Sequence, residues 1–398
     1  MTATELERVY RTEAVRIRAA LAARVGDVGL AEECVQDAFA EALEHWPSDG
    51  VPPNPGGWLA TTARRKAIDR LRRQRLGDAK LRLRATDEWH PLSDADDELL
   101  SLVFACCHPS LPQESQVALT LRTVCGLTTA EIAAAYLTTE STMAQRLSRA
   151  RKALKTGKVV IAVPDPDELE GRLEEVLRVV YLVFNEGYLA SAARTPQRRD
   201  LAAQAVTLGR TLHRLMPTEP EVLGLVALLL FHETRAATRF DGWGRLVRLA
   251  EQDRTKWDRA LIDEATALIG QALVMHRPGP YQIQAAIAAL HAEAPDHAGT
   301  DWPQIRVLYS RLDELAPSPV VRLNKAVATR YSVSPQAALA EVDQLADALA
   351  GYRLFHAVRG DLLEALGRAD EARQAIERAL ALATNPAERE LLARRLDS

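Results

Sequence analysis

Apolar residues recur every three to four positions over most of the chain. Glycine, proline, asparagine and aspartate cut that helical rhythm into segments. An amphipathic run over Glu5–Arg24 precedes a second over Leu30–Trp46, where Cys34, Val35, Ala38, Phe39, Ala42 and Leu43 keep helical spacing. Gly26 and Gly29 separate the two, and Pro47 to Pro55 is expected to be a loop. A basic helix begins after Pro55, with Trp58, Leu59, Thr62, Ala63, Ala67, Ile68 and Leu71 as its buried stripe. Gly77 to Asp97 is polar and acidic at its end, and reads as a linker. Four further helices are expected over Leu99–Cys107, Gln113–Val124, Thr129–Tyr136 and Glu140–Lys155. Thr128 or Thr129 is placed to cap the third, with Glu131 in its first turn. Val163 to Pro166 closes this part with two prolines.

From about residue 167 the pattern becomes helical pairs with short polar turns: Leu169–Phe184, Asp200–Leu215, Pro220–Arg239, Lys256–His276, Tyr281–His291 and Trp302–Leu315. The final stretch repeats. Ala326, Ala338, Val342 and Leu345 recur at Gly360, Ala372, Ile376 and Ala379 or Leu380, an offset of 34 for the first three. That is the tetratricopeptide period, with small residues where two helices cross and apolar ones where units stack. Two such units cannot bury their faces alone, so they are expected to pack on the helices before them.

Composition narrows the class. Hydrophobic residues make up 47% of the 398 residues but aromatics only 5%, which fits Ala/Leu-rich helix packing and an all-α fold. No run of about 18 apolar residues and no export signal appears, so neither membrane insertion nor secretion is expected. Four cysteines, all in the first third, are too few and too clustered for a disulfide framework. They point to a reduced, cytoplasmic setting.

Net charge is −4, which by itself argues against nucleic acid as a partner. The positive charge is local, however. Residues 64–75 carry seven cations against Asp69, and residues 140–158 carry six against Glu140. Patches of that density govern phosphate contact more than the whole-chain sum does.

The second patch lies in LTTAEIAAAYLTTESTMAQRLSRARKALK (127–155), which has the periodicity of a helix-turn-helix. Ile132, Ala133 and Tyr136 form the inner face of its first helix; Met143, Leu147 and Ala150 form that of the second. Glu140, Ser141, Ala144, Gln145, Ser148, Arg149 and Lys152 are left outward, short polar groups first for base edges and cations later for phosphate, and Thr142 is counted with the −35-reading candidates. Arg146 sits between the two sets. Adjacent Cys106-Cys107-His108 lacks the Cys-x-x-Cys geometry of a zinc site and reads as core. Asn185, Glu186 and Tyr188 end a strongly apolar helix, with Gly187 as its terminator; a buried polar network and a regulatory site are both open readings. No nucleophile–base pair, phosphate loop or metal signature is visible, so neither an enzyme nor a cofactor is expected.

Taken together, these segments resemble an extracytoplasmic-function sigma factor of bacterial RNA polymerase. AEECVQDAF (31–39) is similar to the family's helix that docks on the polymerase clamp. PGGWLATTARRKAIDRLRR (55–73) is similar to its promoter-melting and −10-reading segment, and residues 127–154 to its −35-reading hairpin. YLVFNEGYLAS (181–191), RPGPYQ (277–282) and the 34-residue repeat resemble the subgroup with a tetratricopeptide-like extension. The resemblance implies region 2 over residues 1–76, a linker over 77–97, region 4 over 98–158 and a regulatory extension over 159–398. It implies core RNA polymerase and promoter DNA as partners, with a protein or ligand acting on the extension. By the same resemblance Glu33, Asp37, Phe39 and Glu44 lie on or near the clamp-docking surface. Trp58, Thr61, Thr62, Arg64, Arg65, Asp69 and Arg72 lie on the −10 segment. The chain departs from many family members in having Arg65 where Asn is common and Ala144 where Lys is common. The rival readings are a one-component regulator, which would bind promoter DNA without polymerase, and a helical scaffold or enzyme with incidental basic helices.

Overall fold

A computed structural model describes residues 3–74, 95–136, 138–188 and 199–396. Among them the chain is helical throughout, apart from turns and a single β-bridge between Phe240 and Leu246. It divides into two compact units, Met1–Val183 and Phe184–Ser398. Most of the expected linker lies outside the described residues; its last three residues, from Ala95, already belong to a helix.

In the first unit, α1 (Ala3–Val25), α2 (Val28–Asp49) and α3 (Pro55–Gln74) form one helical group. They are followed by α4 (Ala95–Cys106), α5 (Gln113–Thr123), α6 (Thr129–Ala135), α7 (Glu140–Thr156) and α8 (Pro166–Tyr188), and the unit boundary falls within α8. Gly26 adopts a left-handed φ of 68°, and Asp27 caps α2 by accepting from the Leu30 backbone N–H at 3.0 Å. The sequence placed a loop from Pro47, yet α2 continues to Asp49 through that proline. The hydrogen bond that Pro47 cannot donate would have gone to the carbonyl of Leu43, an exposed residue where water can substitute. Gly50, at φ 82°, then ends the helix.

The core of this unit is formed by small and apolar side chains at the expected phase. Ala38, Ala42, Leu59, Ala63 and Ala67 are at most 1% exposed. Cys106 and Cys107 are fully enclosed, and burial pushes the Cys107 thiol up to about 12. Among the described residues, no group of three or more His, Cys, Asp or Glu could hold a metal ion.

The second unit stacks α9 (Arg199–Leu215), α10 (Pro220–Glu233), α11 (Arg259–Leu273), α12 (Pro280–Glu293), α13 (Trp302–Leu315), α14 (Pro319–Ser332), α15 (Pro335–Asp343), α16 (Arg353–Ala365), α17 (Ala369–Leu382) and α18 (Pro386–Leu396). Helix α10 is buried along its length, so its all-round apolar sequence has no polar face to expose. It ends at Glu233, short of the expected Arg239, because residues beyond it form turns closed by Ala236 and Thr238 N–H bonds. The RPGPYQ run forms a clasp. Glu221 of α10 accepts from the backbone N–H groups of Tyr281 (2.9 Å) and Gln282 (3.1 Å), supplying the open N-terminus of α12 with an anion. A Cβ at Gly279 would lie 2.2 Å from Glu221 Cδ, so only glycine admits this carboxylate. The 34-residue repeat falls on α14–α15 and α16–α17. Ala326, Ala338 and Val342, then Ile376 and Ala379, are at most 4% exposed, and Gly360 is buried.

Candidate nucleic-acid interface

The helix-turn-helix is built from caps. Thr128 accepts from the Glu131 N–H at 3.1 Å while Glu131 accepts from the Thr128 N–H at 2.7 Å, a reciprocal capping box that fixes the start of α6. Thr139 caps α7 by accepting from the Thr142 N–H at 3.1 Å, and the two hydroxyls meet at 2.8 Å. Met143, Leu147, Ala150 and Leu154 anchor α7 at spacings of four, three and four. The opposite face is therefore free of the core: Glu140, Ser141, Thr142, Ala144, Gln145 and Arg149 are all exposed. Arg146 is half-buried and held by Glu114 of α5 at 2.8 Å. Thr142 is spent partly on the cap.

Helix α3 presents a different balance. Trp58 is half-buried with its ring edge-on to Trp46 (centroids 5.5 Å apart), so its indole is part of the helical packing as well as of the rim. Thr61, Arg65, Asp69 and Arg72 are exposed, Arg64 is half-buried, and Thr62 is buried at 6% exposure. Thr62 thus belongs to the interior and supports the face from beneath. Three cations are already matched by acids of α2. Glu41 receives Arg65 and Lys66, each at 2.6 Å, and its carboxyl sits below the usual range, chiefly through the Lys66 hydrogen bond. Arg70 bridges to Asp37 at 2.7 Å and Glu33 at 3.3 Å. Two of the acids expected on the docking surface, Glu33 and Asp37, are thus also counter-charges of the basic helix. Glu33 and Glu44 are exposed and Asp37 is half-exposed, whereas Phe39 is 5% exposed and packs into the core. Phe39 shapes that surface from within.

The third group of sequence candidates lies at the end of α8. Helix α8 is described as far as Tyr188, with Gly187 buried in its last turn. Asn185 is exposed, and Glu186 and Tyr188 are half-buried. Tyr188 stacks on Phe184 (5.4 Å) and lies under the Arg239 guanidinium (3.6 Å). His232 stands 5.4 Å from that ring; burial first, then the nearby Arg235 and Arg239 cations, push it down to about 3.

Residues the sequence reading overlooked join the two halves of the first unit. Arg18 of α1, 2% exposed, donates to the carbonyl oxygen of Thr123 at the end of α5. Glu32 of α2, 4% exposed, takes Arg122 of α5 on one carboxylate oxygen (2.5 Å) and Arg151 of α7 on the other. Asp27 pairs with Lys155 at 2.9 Å. One signal was available: Val28, Glu32, Val35 and Phe39 fall on one helical stripe, so an acid occupies a core phase.

These features define a helical DNA-binding protein with two basic helices, one in a helix-turn-helix. Residues 9–76 match the family described as Sigma-70 region 2, and residues 101–154 match Sigma-70 region 4. The chain thus carries both sigma-70 domains, which support a sigma factor role in promoter recognition and transcription initiation, with core RNA polymerase and promoter DNA as partners. Residues 172–273 match a family of unknown function, DUF6596. An uncharacterized protein of Rhizobium meliloti (strain 1021) is 45% identical over 381 residues, covering 93% of this chain and 90% of its own length. Among the described residues no helix is long and apolar enough to cross a membrane.

Proposed function

We propose that this chain is a cytoplasmic sigma factor of the extracytoplasmic-function type whose helical extension controls its activity. In this reading residues 1–76 dock on the polymerase clamp and read and melt the −10 element. Residues 77–97 link them to a −35-reading domain over 98–158, and residues 159–398 form a tetratricopeptide-like regulatory extension. The observation that carries it is the exposed polar and cationic face of α7, standing on a capped α6. Base-edge readers precede phosphate cations along that face, the order a recognition helix needs to enter a major groove. Glu140, Ser141, Thr142, Ala144 and Gln145 contact or border bases, Arg146 and Arg149 anchor the backbone, and the α3 residues Trp58, Thr61, Arg64, Arg65, Asp69 and Arg72 meet the −10 strand. The stacked helical pairs of the extension offer a partner-binding face, and the region of Asn185, Glu186 and Tyr188 is where a regulating protein or ligand would act.

Run-off transcription with purified core polymerase, on the DNA upstream of the protein's own gene, tests this reading. The full chain should give a discrete transcript. A chain ending at Tyr188, which keeps the whole of α8, should still bind core polymerase and transcribe at a clearly lower level. Equal transcription from both chains, in vitro and in cells, removes the regulatory role. Promoter binding that needs no polymerase favours a one-component regulator instead.

A further inference from the structure

We propose that the second unit carries a binding site for a small phosphate-bearing anion, held by Arg235 and Arg239 beside Tyr188 at the end of α10. The site gives a chemistry to the ligand placed above in the region of Tyr188, and only its effect on transcription rests on that reading. All of its residues belong to the unit Phe184–Ser398.

Helix α10 ends at Glu233, and the turns after it carry both arginines. Those turns are locked. The Thr238 N–H donates to the Arg235 carbonyl at 3.0 Å, the Val247 N–H to the Arg239 carbonyl at 2.9 Å, and Trp257 Nε1 to the Thr238 hydroxyl at 3.0 Å. The Arg239 guanidinium stands 3.6 Å from the centre of the Tyr188 ring, and that of Arg235 stands 5.6 Å from it. Arg239 is only 9% exposed, yet neither arginine joins an ion pair among the described residues, and Arg239 Nε has no hydrogen-bond partner. The Tyr188 hydroxyl and His291 Nδ1 are likewise buried and unpartnered. The acids nearby are engaged elsewhere: Glu388 by Arg353 at 2.6 Å, Asp241 by Arg245 at 2.7 Å and Glu233 by Arg199 at 3.6 Å. A third guanidinium, Arg254, donates to the carbonyls of His291 and Ala294 and to the Thr300 hydroxyl, neutral groups that leave its charge uncancelled. His232 and His291 sense this field: burial first, then neighbouring arginines, push each down to about 3.

The C-terminus of α10 supplies about half a negative charge, too little for the two positive charges of Arg235 and Arg239. A buried cation left unpaired is costly, so the cluster calls for an anion from outside. A carboxylate would cancel one charge. A phosphate monoester carries about −1.5 to −2 at neutral pH with three acceptor oxygens, which matches two guanidinium forks. The low exposure of Arg239 keeps a macromolecular surface away, so the ligand is small; half-buried Arg235 marks the side open to water.

Isothermal titration calorimetry on the full-length chain tests this, with glycerol 3-phosphate, inorganic phosphate and acetate as probes at matched ionic strength. Both phosphates should bind saturably, and acetate at least about tenfold more weakly. Arg235→Met and Arg239→Met should each weaken phosphate binding at least about tenfold, whereas Arg311→Met, at an exposed cation paired within α13, should leave it unchanged. At about 100 times its dissociation constant, phosphate should raise the wild-type melting temperature by roughly 5–10 °C. In phosphate-free buffer Arg239→Met should melt no lower than the wild type, because it removes a buried unpaired charge; a merely structural arginine would lose stability there. No phosphate binding by the unaltered chain, equal affinity for acetate, or unchanged affinity in both arginine variants overturns the proposal. Tighter binding of a phosphoserine peptide than of glycerol 3-phosphate overturns the small-ligand assignment. Either phosphate as the tighter probe upholds the site, the inorganic ion pointing to free phosphate and the ester to a phosphorylated metabolite. Run-off transcription separates the two readings: intact binding with transcription indifferent to the ligand overturns the regulatory role and leaves the site standing.

Discussion

Replacing Arg149 by alanine isolates one cation on an exposed helix face. Its Nε turns to the Gln145 carbonyl at 3.4 Å, a weak local link, whereas neighbouring Arg146 is engaged by Glu114 at 2.8 Å. Each phosphate neutralised contributes about 0.9 to the slope of log affinity against log salt, so a fourfold rise from about 50 to 200 mM weakens binding by roughly 3.5-fold per contact. Arg149→Ala should therefore weaken promoter binding most at low salt, and its penalty should shrink by about 3.5-fold over that interval. Arg146→Ala should cost less, because its DNA contact first displaces Glu114, and an exposed pair of that kind is worth about 0.2–1 kcal/mol. Glu114→Ala should accordingly tighten binding, by up to about fivefold. Fluorescence anisotropy of the polymerase complex on a labelled promoter, titrated across salt, measures all three. An Arg149→Ala complex with the wild-type slope and intact helicity refutes the placement of Arg149 on phosphate. Changes at Ser141 or Gln145 should instead alter which −35 sequences are accepted.

Reversing Arg64 and Arg65 to glutamate sets two acids against the DNA backbone, so permanganate footprinting should show open complexes lost while co-purification with core polymerase persists; loss of both with the fold intact argues against the melting role. His232 stays neutral in the folded state until about pH 3, whereas in the unfolded chain it takes up a proton near pH 6.5, so its contribution is whole above pH 6.5 and is lost as pH falls towards 3. Melting of the full chain followed between pH 7 and 5 should show a loss of up to about 2 kcal/mol that His232→Asn reduces, and a pH-independent transition would refute this. Gly224→Ala should destabilise the second unit by about 1–3 kcal/mol, because its Cβ would sit 2.6 Å from the Gln282 backbone nitrogen. Gly360→Ala should cost less, since its Cβ meets the movable end of Ile376 at the same 2.6 Å, and equal calorimetric losses would refute that distinction.

The helical class, the phase of most helices and the outward face of α7 are legible along the chain, because a period near 3.6 with caps and breakers is written locally. Thr128 with Glu131, and the run Met143, Leu147, Ala150, specify that hairpin whatever surrounds it. The repeat was equally legible, since Ala326 and Gly360 must be small wherever two helices cross. Local rules misjudged Pro47, where a helix continues through a residue that usually ends one. Which charges are spent inside the molecule depends on packing between distant segments. Arg65, Arg70, Arg151 and Lys155 all read as phosphate cations, yet each meets an acid of α2 or its cap, some 24 to 128 positions away in sequence. The RPGPYQ run likewise has no local meaning until Glu221 reaches it from α10. Periodicity fixes where a side chain points on its own helix; what it points at depends on which helices pack together, and that is set by the summed fit of many distant residues.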